Sequence, residues 1–190
     1  MLRIGILGDI GSGKSYVARC FKHPVFNADD EVTRLYKTDV KIFKKLKKSL
    51  PKFIYSFPIS KSEITRAILS NNNNLKKIIQ IVHQEVRKKL QSFLKKNKNK
   101  KIVILDIPLL LENKINKKKD ILVFVQSNKK DVLKKLKKRK GINYKLIKKF
   151  KKIQLPLDYK KNKSHFIIKN DFTKKTININ IKDVQKKLNR

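Results

Sequence analysis

Short apolar runs alternate along this chain with longer stretches in which apolar residues recur every three or four positions. The runs predict strands buried on both faces, and the wider spacing predicts amphipathic helices. The predicted strands are 2–7, 23–26, 102–106, 121–125 and 166–168. Because strands and helices alternate, we expect one parallel five-stranded sheet with right-handed crossovers and helices on both faces.

The helical pattern is clearest between residues 75 and 93. Its apolar stripe consists of Leu75, Ile78, Ile79, Val82, Val86, Leu90 and Phe93. Residues 37–99 are predicted to be mostly helical, with breaks at Pro51, at Pro58 and at the polar run 71–74, and 95–101 is predicted to be a solvated linker. Later helices are predicted at about 129–140, 143–163 and 181–188.

The sequence Gly-Asp-Ile-Gly-Ser-Gly-Lys-Ser directly follows the first predicted strand, at 8–15. This spacing is the phosphate loop, in which glycines let consecutive N–H groups surround a phosphate chain. Lys14 could then reach the outer phosphates, and the Ser15 hydroxyl could bind Mg²⁺. A Gly-Ser turn that merely precedes a lysine is the alternative, but a strand before and a helical pattern after favour the motif. The predicted ATP-binding residues are Gly11, Ser12, Gly13, Lys14, Ser15 and Tyr16.

Lysine dominates the composition and gives a formal net charge of +37. Such a charge can indicate a nucleic-acid partner. However, lysine, isoleucine and asparagine together make up 84 of the 190 residues, as codon bias in an AT-rich genome would produce. The lysines are also spread over every predicted helix. We therefore interpret the charge as a solvated surface, and we predict no specific nucleic-acid partner.

The chain has one cysteine and no apolar run of 18 residues or more. Cys20 cannot form an internal disulfide, which is consistent with a reducing compartment, and its place in the first helix favours a small buried side chain. Without a spanning segment or an N-terminal targeting pattern, we expect a cytoplasmic protein that does not contact membranes.

Acidic residues follow two of the predicted strands. Asp29 or Asp30 could accept a proton from an attacking hydroxyl or help to order Mg²⁺, because the carboxyl ends of neighbouring strands lie at one edge of a parallel sheet. Either could instead stabilise a helix N-terminus without any chemistry. Asp106 ends a buried strand and is a candidate for holding Mg²⁺ through water.

Two other patterns bear on function. His83 lies beside the apolar stripe, which favours a histidine at the edge of the core, and no second ligand stands at a spacing that predicts zinc. The sequence 128–131 matches the guanine-reading Asn-Lys-x-Asp of GTPases, but no Asp-x-x-Gly accompanies it. Chance matches are common in a chain so rich in lysine and asparagine.

Several segments in family order resemble dephospho-CoA kinase, and the resemblance runs nearly end to end. They are the phosphate loop, the sequence Asn27-Ala28-Asp29 in place of Asp-Ala-Asp, His83, the Asp-x-Pro-Leu-Leu-x-Glu run from Asp106 to Glu112, and Arg139 with Gln154. The resemblance implies a P-loop NTPase fold of the nucleoside-monophosphate-kinase type. It also implies ATP-dependent phosphorylation of the ribose 3′-hydroxyl of dephospho-CoA, the last step of coenzyme A synthesis, with Mg²⁺.

The resemblance also implies roles for individual residues. Asp29 would be the general base, Lys14 would neutralise phosphate charge, and Arg139 would reach the transferred group from a mobile lid. The tentative substrate-binding residues are His83, Leu110 and Glu112, and the metal residues are Ser15 and Asp106. The domain would consist of a core (1–36, 101–133 and 164–190), a helical insertion on the CoA side (about 37–100) and a lid (about 134–163).

The chain departs from the family pattern at a few positions. Asn27 cannot act as a base, and Asp9 replaces a glycine of the phosphate loop, which is acceptable if its φ stays negative. His83 is followed by glutamine instead of proline. The segment 164–170 keeps the strand and the asparagine, Asn170, of the Ala-Asp-x-Val-Ile-x-Asn that ends the family pattern, but it lacks the acid. Two other functions stay open. One is a P-loop kinase for another nucleoside or nucleotide, and the other is a basic nucleic-acid-binding protein that uses ATP as a switch.

Overall fold

The structure is a computed structural model that describes residues 1–139 and 141–188. Its centre is a five-stranded sheet in the order β2-β3-β1-β4-β5, and every neighbouring pair is parallel. The strands are β1 (Leu2–Gly8), β2 (Val25–Asn27), β3 (Ile102–Asp106), β4 (Ile121–Gln126) and β5 (Phe166–Lys169). The predicted parallel sheet and its five strands are therefore confirmed.

Helices connect the strands along the chain. They are α1 (Lys14–Cys20), α2 (Ala28–Thr38), α3 (Val40–Ser49), α4 (Lys61–Ser70), α5 (Asn72–Lys96), α6 (Lys129–Lys137), α7 (Tyr144–Lys152), α8 (Leu157–Asn162) and α9 (Lys174–Leu188). Among the described residues, no helix is both long enough and apolar enough to cross a bilayer.

Proline and glycine explain where two helix predictions were too long. The helix predicted over 143–163 is two helices, because Pro156 precedes α8 and cannot continue α7. α6 ends at Lys137 instead of about 140, and Gly141 soon follows with a φ of 69°. Lys140 itself lies outside the described residues.

Side-chain hydrogen bonds explain two other differences. α9 begins at Lys174, seven residues before the predicted start, because Asp171 and the Thr173 hydroxyl bind backbone and side-chain groups of the first turn. The break predicted at 71–74 is confirmed but short, because Asn71 alone separates α4 from α5 and residues 72–74 already belong to α5. Asn74 is buried, and its amide donates to Ala67 O at 3.0 Å, which joins α5 to α4.

The core under the sheet is formed by apolar residues of the strands together with α1 and α9. Its fully buried members include Ile4, Ile6, Val17, Ala18, Phe21, Ile104, Val123, Ile168 and Ile177. Cys20 is partly buried and packs against this cluster, as expected for a small apolar side chain. Most of β1 is buried in this core, and β1 leads directly into the phosphate loop.

The chain divides into two compact units. The first comprises 1–27, 97–143 and 151–190 and contains the sheet. The second comprises 28–96 and 144–150 and is helical. α2 contacts α3 and α5 and groups with the second unit. The division into a core, an insertion and a lid stays a prediction.

Candidate active site

The turn between β1 and α1 has the backbone of a phosphate cradle. Gly11 and Gly13 have φ values of 84° and 88°, which L-residues with side chains rarely adopt. Gly13 is the N-cap of α1, and no side chain within 1–139 and 141–188 caps this helix end. The first N–H groups of α1 therefore point out of the turn without a side-chain acceptor, the arrangement that binds anions at such loops.

Lys14 lies folded over this turn. Its ammonium group donates to Asp9 O at 2.7 Å and to Gly8 O at 3.2 Å. The charge is thereby held at the loop, where the outer phosphates of a nucleotide would lie. Ser15 follows in the first turn of α1 and is half-buried. The structure thus brings together the loop residues that the sequence predicted to bind a triphosphate.

The Ser12 carbonyl accepts hydrogen bonds from the side chains of Ser127 and Asn170, neither of which the sequence indicated as a partner of the loop. Ser127 Oγ donates to it at 3.0 Å, and Asn170 Nδ2 donates to it at 2.7 Å. Both donors come just after strands β4 and β5, so they lie at the same edge of the sheet as the loop. The Ser12 hydroxyl is itself buried and has no hydrogen-bond partner among the described residues.

Asp9, the unusual acid of the loop, is accommodated in two ways. Asp9 is not among the residues with positive φ, which meets the condition set by the sequence analysis. Its carboxylate accepts a 2.7 Å hydrogen bond from the backbone N–H of Ile10 and lies 3.3 Å from Lys151 Nζ. The negative charge is therefore partly balanced within the protein.

A second polar pair lies where β2 and β3 end. Asn27 and Asp106 are register partners on these strands, and Asn27 Nδ2 donates to Asp106 Oδ2 at 2.8 Å. Asp106 is buried. Asp106 is the last residue of β3, the strand beside β1. Mg²⁺ prefers oxygen ligands such as those of carboxylates and hydroxyls. Asp106 and Ser15 therefore have the right donor chemistry for this ion.

The described residues contain no group of three or more His, Cys, Asp or Glu side chains that could hold a metal by themselves. Mg²⁺ bound next to phosphates usually has one or two protein oxygens as ligands, so the Ser15 hydroxyl and the Asp106 carboxylate would be enough protein ligands for this ion.

Asp29 lies in the first turn of α2 with Asp30 and Glu31. Its side chain is exposed, and its carbonyl accepts a 2.8 Å hydrogen bond from the Thr33 hydroxyl. Three acids in the first turn favour the helix electrostatically, so the helix-stabilising interpretation is well founded. An exposed carboxylate is also available to a substrate, and the role of general base stays a prediction.

Arg139 follows α6, whose apolar face contacts the phosphate loop. A Cβ on Gly11 would lie 3.0 Å from Leu136 and 3.1 Å from Val132. Arg139 N–H donates to Leu136 O at 3.0 Å, and its side chain is exposed. The arginine therefore starts one helical turn from a residue that packs on the loop.

Each of the three tentative substrate-binding residues is at least partly buried and lies next to other residues of the protein. Leu110 is buried beside Gly5 of β1. Glu112 Oε1 lies 2.6 Å from Lys160 Nζ and accepts the Leu155 N–H at 3.0 Å. His83 is half-buried on α5, and burial together with the nearby charge of Arg87 lowers the pKa of its imidazole. Substrate contacts by these side chains stay predictions.

An open parallel sheet with a glycine-rich phosphate loop after its first strand defines the class of P-loop NTPases. The family model described as dephospho-CoA kinase matches residues 2–176. The chain belongs to this family, and it is a kinase that phosphorylates dephospho-CoA in coenzyme A biosynthesis.

Individual relatives agree with this assignment. The dephospho-CoA kinase of Wolbachia pipientis wMel is 32% identical, over 98% of this chain and 97% of that protein. The crystal structure of TT1252 from Thermus thermophilus is 25% identical, covers 98% of this chain and 97% of that chain, and has a TM-score of 0.80. The dephospho-CoA kinase from Campylobacter jejuni, at 18% identity and a TM-score of 0.63, shares the fold over 98% of this chain and 96% of that chain.

Proposed function

We propose that this kinase transfers the γ-phosphoryl group of ATP to the ribose 3′-hydroxyl of dephospho-CoA, giving coenzyme A and ADP. The observation that carries this proposal is the phosphate loop, with Gly13 at the uncapped start of α1 and Lys14 folded over the turn, in a chain of this family. A cytoplasmic location stays a prediction.

The loop residues would bind the ATP phosphates through backbone N–H groups and the Lys14 ammonium. Ser15 would bind Mg²⁺ directly, and Asp106 would hold it through water. When bound, Mg²⁺ supplies positive charge that offsets the charge of the phosphate oxygens. Arg139 would add a planar guanidinium that can donate two parallel hydrogen bonds to the transferred group.

Asp29 would act on the acceptor. As the 3′-oxygen forms a bond to the γ-phosphorus, the bond from that phosphorus to the β–γ bridging oxygen breaks, and ADP leaves with the electron pair. The proton of the hydroxyl passes to the Asp29 carboxylate, which later releases it to solvent. The role requires an ionised and accessible carboxylate, and the exposure of Asp29 provides access.

The decisive experiment is a coupled assay of ADP release with dephospho-CoA, adenosine and nucleoside monophosphates offered in parallel. We expect release with dephospho-CoA at least about 100-fold faster than with the others, because remote contacts of a true acceptor raise its reactivity. Faster ADP release with another nucleoside or nucleotide would show that this compound, and not dephospho-CoA, is the acceptor. A Lys14→Met variant that kept full turnover would show that the phosphate loop is not the catalytic site.

The base assignment has its own test. We expect Asp29→Asn to lower kcat about 100-fold or more while the Kd values for both substrates change little, since general-base catalysis contributes about 10²–10⁴. Asp30→Asn is the matched control, because Asp30 shares the first turn of α2 and is also exposed. Equal losses in the two variants would show that the acids only stabilise the helix.

A further inference from the structure

We propose that Asn170 and Ser127 are positioning residues for ATP, because they fix the peptide between Ser12 and Gly13 and so aim the Gly13 N–H at the phosphate chain. This inference rests on the proposed function, in which the loop binds a triphosphate. Neither side chain belongs to the loop, and each comes from the end of a different strand.

The Asn170 amide has only one orientation that satisfies its neighbours. Its Oδ1 accepts the Phe172 N–H at 2.7 Å, so its Nδ2 must be the group that faces Ser12 O. The Asn170 backbone is also fixed, since its N–H donates to Gln126 O at 2.8 Å. With 3% of the residue exposed, water does not compete for these bonds.

Holding the Ser12 carbonyl determines the direction of the next N–H. The peptide between Ser12 and Gly13 is trans, and in a trans peptide C=O and N–H point in opposite directions. Two donors draw the carbonyl toward the ends of β4 and β5. The Gly13 N–H must therefore point away from those strand ends, toward the mouth of the loop.

The third glycine of the loop is part of the same arrangement. A Cβ on Gly13 would collide with Asn170 Nδ2, quite apart from the φ of 88° that already favours glycine. The absent side chain is what lets the Asn170 amide reach across Gly13 to the preceding carbonyl. The loop sequence and Asn170 are thus matched to each other, although 157 positions separate Gly13 from Asn170.

Ser127 Oγ donates the second hydrogen bond to Ser12 O, at 3.0 Å, and substitution of Ser127 should disturb the loop less than substitution of Asn170. Ser127→Ala removes one neutral hydrogen bond without adding bulk. Asn170→Asp is nearly isosteric but places an acceptor against Ser12 O, so that two oxygens face each other in a buried site. The two variants weaken the same contact to different degrees.

The test is calorimetric titration of each variant with ADP and, separately, with adenosine. We expect Ser127→Ala to raise the Kd for ADP about fivefold, the equivalent of one hydrogen bond, and Asn170→Asp to raise it more than about tenfold. The Kd for adenosine, which has no phosphates, and the KM for dephospho-CoA should stay within about twofold. Ser127→Thr keeps the hydroxyl and should restore ADP affinity.

Ser164→Ala is the matched control, because the Ser164 hydroxyl also donates to a backbone carbonyl, that of Lys160, at 2.8 Å. It should leave the Kd for ADP unchanged. If Ser127→Ala lowered only the melting temperature, or weakened the binding of adenosine as much as the binding of ADP, the positioning role would be refuted. A wild-type protein that binds ADP but does not phosphorylate dephospho-CoA would refute the proposed acceptor and leave the positioning role standing.

Discussion

Asn27 Nδ2 lies 2.8 Å from Asp106 Oδ2 across the ends of two neighbouring parallel strands. In the family pattern described above, an acid stands where this chain has Asn27. The amide donates a hydrogen bond to the buried carboxylate, whereas a second carboxylate would repel it. The substitution therefore changes the electrostatics of the place that we assign to Mg²⁺.

Asn27→Asp should shift the acid limb of the pH profile of kcat/KM upward by about one unit or more. Two carboxylates at this distance cannot both ionise easily, so one of the pair's apparent pKa values rises. Excess Mg²⁺ should reverse the shift, because a cation offsets the repulsion. Asn27→Ala is the control, since it removes the donor without adding charge, and a similar upward shift in that variant would contradict the explanation.

Arg139→Lys should lower kcat about 100-fold or more while ATP affinity changes little. Lysine keeps the charge but loses the planar fork that binds two oxygens of a phosphoryl group, and arginines in this role contribute about 10³–10⁵ to kcat. Lys138→Ala, which removes a charge from the exposed neighbouring side chain, should change kcat less than about twofold. Steady-state kinetics of the two variants decides between specific and diffuse charge effects.

Burial and Arg87 lower the pKa of His83, so folding favours its neutral form. Below pH 6.5 the unfolded chain binds the proton first. The contribution of His83 to stability is therefore complete above pH 6.5 and is lost as the pH falls from 6.5 through the lower pKa of the folded state. We expect urea unfolding to show a smaller loss of stability below pH 6.5 in His83→Gln than in the wild type. If stability fell equally steeply with pH in the variant and in the wild type, the imidazole would be solvated in the native state.

Glu63 anchors the segment before α4. The buried carboxylate accepts hydrogen bonds from Tyr55 N, Ser56 N, Ser56 Oγ and Ser60 N at 2.7–3.0 Å. Burial alone would raise its pKa, but these four donors outweigh burial and lower the pKa from 4.5 to about 2. The stability this provides is complete above pH 4.5 and is lost as the pH falls toward 2.

Glu63→Gln should therefore reduce the free energy of unfolding at pH 7 by about 3 kcal/mol, the equivalent of a shift of this size. The loss should shrink as the pH is lowered below 4.5, which denaturant titrations at several pH values can follow. Glu85→Gln is a matched control on α5, where the carboxylate forms a surface pair with Lys88 at 3.0 Å. A comparable loss there would point to net charge instead of the hydrogen bonds.

The sheet and the phosphate loop could be predicted because their signals are local. An apolar run predicts β1, and eight consecutive residues predict the turn that follows it. The helix ends were harder, since α9 starts where Asp171 and Thr173 bind its first turn, and Asn74 is buried within a run that reads as polar. Such side-chain contacts depend on the folded arrangement of the chain, which the local sequence does not specify.

The contacts around the loop could not be predicted for a related reason. Ser127 and Asn170 lie 115 and 158 positions from Ser12, and nothing in the surrounding sequence marks them as its partners. The motif around Glu112 predicts a substrate residue, which stays a prediction, but it does not predict that the carboxylate contacts Lys160 and accepts the Leu155 N–H. A motif identifies a position without specifying what its side chain touches.

The ion pair between Lys160 and Glu112 distinguishes one lysine from the crowd around it. Lys160 is the one lysine that is buried in the described part of the chain, with 4% of its side chain exposed. We therefore expect an acylating reagent to label the exposed lysines of the intact fold and to label Lys160 only after local or global unfolding. The extent of Lys160 acylation, measured by mass spectrometry of the peptide that contains it, would therefore report unfolding of this region.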